Sequence, residues 1–370
     1  MLTSILGLHW RLSPILNPHC LTLTLLPSDS DKSPITPQQP SSQPPPSPSS
    51  STTQKDDDGP SPQALAAIFA LTGTLGVAAM TAAQLLSGHL LLLALFGPGG
   101  ARRYMREFLR SDASLLTPDQ LAARATMARS PRYAIFLVLF TTLSAGLPEE
   151  LLKYLPVLWL QGRRRKDKKS SQQQGREKQQ PLGKRAAVRA ATAASLGFAL
   201  VELVGYALAA RGSAADRASY AQASRTTAAA IAGPSITIIL LERVFVSLPG
   251  HIATAILSAS RGADAEAEEE EEGTDNNTAG GGAVVRGKWL GRWRRVLSAV
   301  APSVVYHGLF DLVLFGASAW VGGHVGWVHP VGTRAVVGTL GLCVCVQGVL
   351  YAHTLRAWLG WGKKEVSRRQ

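Results

Sequence analysis

The chain has 370 residues, 46% of them hydrophobic, and a formal net charge of +13 from 38 Lys and Arg against 25 Asp and Glu. The basic residues lie between long apolar runs, so the charge points to anionic lipid surfaces and cytoplasmic loops and argues against nucleic acid as a partner. Cys20, Cys343 and Cys345 form neither a disulfide framework nor a zinc-finger spacing, and the last two read as small apolar residues within a hydrophobic run.

Residues 1–62 read as a disordered segment. Ser, Pro, Gln and Thr dominate Ser30 to Pro62, which cannot bury a core. Residues 1–27 are more apolar, lack acids and carry only Arg11, a weak transit-like composition broken by Pro14 and Pro18. Residues 63–360 are predicted to form an all-α, polytopic transmembrane bundle of about six to eight membrane helices, because about 20 apolar residues cross a hydrocarbon core of about 30 Å.

The first run, about Ala64 to Phe96, is longer than one crossing needs. It reads as one tilted helix or as a span plus a re-entrant piece at Ser87-Gly88. An Arg-rich connection occupies 102–132. The second run, Tyr133 to Leu160, holds Gly146 and Pro148 and reads as a single crossing or as a hairpin broken at Pro148. A basic insert at 162–186 is predicted to be flexible. The third and fourth runs are about Ala186 to Ala210 and Ala228 to Leu257. A flexible acidic insert at 260–288 contains DAEAEEEEEG. The fifth and sixth runs are about Val296 to Val321 and Val331 to Leu359, and a basic tail at 361–370 ends the chain. There is no internal repeat. Positive charge assigns the basic insert and the tail to the cytoplasmic side. Two features pull against that: the Arg-rich connection falls on the opposite side if the second run crosses once, and Asn276-Asn277-Thr278 is a glycosylation sequon. The chain reads as a multi-pass membrane protein whose organelle the sequence does not specify.

An ionisable side chain at mid-membrane costs about 2.5–3.5 kcal/mol on insertion scales and so marks a function. Four of the runs carry such residues. In Pro148-Glu149-Glu150-Leu151-Leu152-Lys153, Pro148 suits the first position of a helix and Lys153 can reach either carboxylate at i+4 or i+3. Taken alone, this is also an ordinary helix start at the membrane surface, with the carboxylates at its positive end. Glu202 stands alone in SLGFALVELVGYAL, with Phe198 on the same face, and its bland reading is a neutral Glu in a structural hydrogen bond. Glu242-Arg243 can pair with other helices, and His251 follows Pro249-Gly250 in an apolar stretch where a lone histidine is more often structural. His307 and Asp311 are four apart and share a helix face, where the Asp can set the imidazole tautomer; otherwise they are a buried pair joining two helices. Together these acids and imidazoles are what a dry cavity needs to activate a water. That reading requires Glu149, Glu150, Glu202, His251 and His307 to converge within about 10 Å.

The ordered set Glu149-Glu150-x-x-Lys153, Phe198-x-x-x-Glu202, His251 and His307-x-x-x-Asp311 resembles the PrsW family of intramembrane proteases, in the clan shared with CAAX prenyl proteases and ABI proteins. The resemblance covers about residues 130–320. It implies hydrolysis of a peptide bond in a membrane-anchored peptide or membrane-protein substrate. It implies that Glu149 and Glu150 include the general base, and that His251 and His307 position water, stabilise an oxyanion or bind a metal. Asp311 would orient His307 and Lys153 would hold the glutamates. Whether the cofactor is none or a divalent metal such as zinc stays open: carboxylates and imidazoles suit zinc, no HExxH is present, and the balance leans to glutamate without metal. Two other classes fit the same residues. A catalytically inactive scaffold would use the charged loops for docking. A proton-coupled transporter would use the buried Glu and His as a relay, although the missing repeat counts against it.

Overall fold

The structure, a computed structural model, describes residues 59–110, 116–173, 183–224, 240–275, 284–327 and 333–369. Nearly all of the segment expected to be disordered lies outside the described residues, as do the sequon and the first part of the fourth run.

Every element among the described residues is helical. Helix starts follow local sequence. The Ser61 hydroxyl accepts from the Ala64 N–H at 3.2 Å, with Pro62 at the first position. Thr117 and Gln120 form a capping box ahead of Pro118. Ser130 accepts from the Tyr133 N–H ahead of Pro131. Six helices are long and apolar enough to cross a membrane: α1 (Pro62–Phe108), α3 (Pro131–Arg163), α4 (Lys184–Leu208), α5 (Leu240–Glu266), α6 (Gly291–Val321) and α7 (Arg334–Leu359). The short α2 (Pro118–Ala128) joins α1 to α3. The chain is therefore an all-α, multi-pass membrane protein. Helix continues beyond α3 to Gln173 and beyond α5 to Asp275, into the two charged inserts.

The bundle is built around α3, which touches α1, α4, α5 and α6; α5 lies between α4 and α6, and α7 packs on α5 and α6. Where α4 meets α5 the contact residues are small: Ala187, Ala190, Ala191 and Ala194 face Ala255 and Ala259. Small residues let backbones approach, which is how helices associate without a hydrophobic driving force between them. The approach is tightest between α1 and α4, where a Cβ on Gly197 would lie 2.0 Å from the Phe69 carbonyl oxygen. Replacing Gly197 by Val should therefore cost about 1–3 kcal/mol of stability, seen as a lower unfolding temperature in detergent. Unchanged unfolding would disprove this contact. Outside the bundle, Leu75, Leu86 and Leu90 on α1, Leu200 and Val204 on α4, and Val337, Leu342 and Val349 on α7 make an exposed apolar belt suited to lipid.

Two open alternatives are decided here. The first run does not break at Ser87-Gly88. It kinks at Gly97, whose φ of +68° only glycine adopts without strain, and Pro98 cannot bond back across it. Beyond the kink Ala101, Tyr104 and Phe108 face inward while Arg102, Arg103 and Arg106 face out. The second run is one continuous crossing, not a hairpin. The Arg-rich connection is consequently at the far end from the basic insert. Its Arg124 is buried, 3.4 Å from Glu107, and donates to the carbonyls of Arg110 at 2.8 Å and Val325 at 2.5 Å, which ties the connection to the loop between α6 and α7.

Pro148 does not start a helix. A π-helical turn, Phe140–Gly146, precedes it, and the Leu147 N–H bonds back five residues to the Thr142 carbonyl. The same arrangement recurs in α5, where the π turn Arg243–Ser247 precedes Leu248-Pro249 and the Leu248 N–H bonds to the Arg243 carbonyl. A proline in an α-helix removes a hydrogen bond and clashes with the carbonyl four residues back. A wider turn just before it relieves the clash and keeps the span unbroken. In both helices the residues that follow the proline are the ones with chemistry.

Candidate functional site

Glu149, Glu202, His251 and His307 sit on four spans, about 14 to 18 residues, or roughly 21–27 Å, from the end that carries the basic insert. They share one depth in the middle of the bundle. The surface reading of the glutamate pair fails: Glu149, Glu150 and Lys153 are each no more than 1% exposed.

Lys153 is the cation at the centre. Its Nζ lies 2.9 Å from Glu149 Oε1, 2.8 Å from Glu150 Oε1 and 2.8 Å from His251 Nδ1. An ammonium only donates, so Nδ1 of His251 accepts and the ring proton is on Nε2. That Nε2 lies 2.9 Å from Glu202 Oε2 and 3.3 Å from the Ser247 hydroxyl. His307 is held in a parallel way. Its Nδ1 is 3.1 Å from Glu150 Oε1, which leaves Nε2 facing Glu149 Oε2 and Asp311 Oδ2, each at 3.4 Å. Each imidazole thus has one nitrogen on a carboxylate and turns the other toward Glu149, and His251 Nδ1 is 3.0 Å from Glu149 Oε1. The rings are 5.7 Å apart. Phe198, four residues before Glu202, lies with its ring 5.8 Å from that of His251, tilted by 59°, and under Lys153, closing the cluster on the α4 side.

The seven candidate site residues named from the sequence meet in this cluster, Arg243, also noted there as a pairing residue, borders it, and the structure adds Thr254, Gly146 and Gly308. Thr254 donates to Glu150 Oε1 at 3.2 Å, one turn after His251 on the same face. Arg243 lies 3.9 Å from Glu202 and its guanidinium covers the Tyr206 ring at 3.6 Å. Gly146 and Gly308 face each other where α3 crosses α6: a Cβ on Gly146 would be 3.2 Å from the Val304 carbonyl, and one on Gly308 would be 3.0 Å from the Thr142 hydroxyl. Side chains at either position would push His307 away from the glutamates.

A narrow cleft with a cavity volume of about 60 Å³ opens onto the cluster. Glu149, Glu202, His251, His307 and Asp311 line it, together with Gln84 of α1 and Gln347 of α7; Glu150 and Lys153 do not. Phe108, Phe315 and Trp327 form its wall toward the Arg124 end. Of the acids Asp311 has the most open side chain, 21% exposed.

Glu149, His251 and His307 can each offer one ligand atom, all within 4.8 Å of one another. One carboxylate and two imidazoles is a zinc donor set, and the 3.4 Å between Glu149 Oε2 and His307 Nε2 matches the roughly 3.4 Å edge expected of ligands about 2.1 Å from a tetrahedral ion. By donor type and spacing these three residues fit a divalent metal, provided that Lys153, which donates to His251 Nδ1 in this structure, turns its proton wholly to the glutamates.

Compared with known proteins, residues 113–339 match the family model described as PrsW family intramembrane metalloprotease, which covers more than half of the chain. No curated protein and no solved structure matches the chain.

Proposed function

The chain belongs to the PrsW family of intramembrane metalloproteases, and from that premise we propose that the cleft hydrolyses a peptide bond of a membrane-anchored substrate at the depth of Glu149. The observation that supports this is the convergence of Glu149, His251 and His307 from three spans, at one depth, in a cleft. Donor set and family description move the reading away from a metal-free glutamate mechanism and toward a metal. Glu149, His251 and His307 would hold the ion, which when bound supplies Lewis acidity to a peptide carbonyl and acidifies water.

The remaining residues divide by position. Glu202 and Glu150 each hold one imidazole by the nitrogen turned away from Glu149, which fixes tautomer and ring orientation. Glu150 is therefore a positioning residue and not the general base, because it does not reach the cleft. Lys153 keeps Glu149 and Glu150 ionised in a dry interior. Asp311 faces the cleft beside His307 and takes the proton from the attacking water, then returns it to the leaving nitrogen. The transporter alternative rests on the same buried Glu and His, and the missing internal repeat counts against it.

Elemental analysis of the purified chain tests the metal directly. About one zinc-like ion per chain is expected, lost in His251→Ala and in His307→Ala and retained in Asp311→Asn. Asp311→Asn should still lose about 10²–10⁴-fold in cleavage of a membrane-tethered reporter. A fully active chain with no bound ion would overturn the metal part. Failure of the wild type to cleave any of a panel of tethered reporters would overturn the hydrolase reading and favour the scaffold.

A further inference from the structure

Gln347 is a polar residue in the middle of α7, the least buried of the six spans, and lies beyond residue 339, where the stretch matched by the family model ends. Its side chain does not turn to the surface. The residue is 7% exposed, lines the cleft, and its Oε1 is buried with no hydrogen-bond partner. An amide oxygen left so within a membrane costs free energy that a Leu at the same place would not. Room for it is made from the other side. A Cβ on Gly250 would lie 2.2 Å from Gln347 Nε2 and 2.8 Å from Oε1, so the glycine immediately before His251 admits the carboxamide beside the imidazole-bearing turn.

We infer that Gln347 binds the substrate backbone. The inference rests on the proposed hydrolase reading and names how that site holds its substrate. A peptide bond can be attacked only where the substrate helix is unwound, and an unwound segment brings unpaired N–H and C=O groups into the cleft. No water-rich surface lies at that depth to satisfy them. A carboxamide offers one acceptor and two donors, so it can take a peptide N–H on Oε1 and give a proton to a peptide carbonyl. Phe108, Phe315 and Trp327 supply the apolar wall for side chains of the same segment. The class of ligand is an extended, apolar peptide held by its main chain.

Binding and turnover separate the inference from the reading on which it rests. The probe is a fluorescent synthetic peptide of about 20 apolar residues with a central Gly-Gly pair, in detergent micelles. Its binding is measured to the full-length Glu149→Gln chain, with and without Gln347→Met, and its cleavage by the wild type with and without Gln347→Met. The expected result is an affinity weakened about tenfold by Gln347→Met, a KM raised by a similar factor with kcat nearly unchanged, and an unfolding temperature that does not fall. Gly250→Ala, which displaces the carboxamide, should shift KM in the same direction. Equal binding by both chains overturns the inference, as does absence of binding by either. A Gln347→Met chain that fails to fold assigns the residue a structural role and also overturns it. Binding that depends on Gln347 without any cleavage would keep the inference and sink the hydrolase reading alone.

Discussion

Glu149→Gln should reduce cleavage by about 10³-fold, while Glu150→Gln, one residue along, should reduce it only about 10–100-fold. The two side chains are chemically identical and both completely buried, so only geometry separates them. Glu149 contacts both imidazoles and lines the cleft. Its neutral amide would remove the anionic donor from the group that fits a metal and would turn an N–H₂ toward a nitrogen that must accept. Glu150 lies behind His307 and spends Oε1 on Lys153, Thr254 and the ring nitrogen turned from the cleft. Gln at that position retains an acceptor oxygen and loosens the imidazole without removing it. Rates on a membrane-tethered reporter, compared with metal content of the same preparations, check both. Equal losses would mean that the glutamates share one role, and full activity in the double variant Glu149→Gln/Glu150→Gln would sink the site.

The depth and order of the cluster were legible because the bilayer makes polarity conspicuous. Glu202 stands out in α4 since nothing near it in sequence is charged, and the His307 and Asp311 spacing declares a shared face. The same rule applied to amides would have picked out Gln84 and Gln347, which are as isolated in their runs as Glu202. They are less conspicuous because an uncharged side chain costs less to bury. Thr254 was within reach too, one turn beyond His251. Other features are not local properties of the chain. Gly146 and Gly308 matter only because α3 crosses α6 there, and Gly197 only because α1 passes at Phe69. The π turns were hidden for a different reason. Proline usually starts, ends or kinks a helix, so Pro148 invites a helix start or a hairpin. Only the packed bundle, in which a span must keep every backbone group bonded, favours accommodating the proline by a wide turn. The kink at Gly97-Pro98 follows the ordinary rule, because there the chain is leaving the apolar layer.

Lys153→Met should cost about 3–5 kcal/mol of stability, the largest single loss expected from any residue of the cluster. The side chain is 1% exposed and its ammonium is in contact with two carboxylates that have no other lysine or arginine within ion-pair distance among the described residues. Removing it leaves two like charges side by side in a medium that cannot solvate them. They would repel and take up protons, His307 would lose the anionic acceptor at its Nδ1, and His251 would lose the ammonium that donates to its Nδ1. Activity would fall as a consequence, so activity alone cannot reveal the cause. A double-variant cycle can. Adding Glu150→Gln to Lys153→Met removes one of the stranded charges and should recover about 1–2 kcal/mol, although each change alone destabilises. Unfolding in mixed micelles, with metal content held the same across the four chains, measures that coupling. Additive losses, or a Lys153→Met chain as stable as the wild type, would show that the carboxylates are already neutral in the folded protein. Lys153 would then be no counter-ion, and the proposal that it keeps Glu149 anionic within the membrane would fall with it.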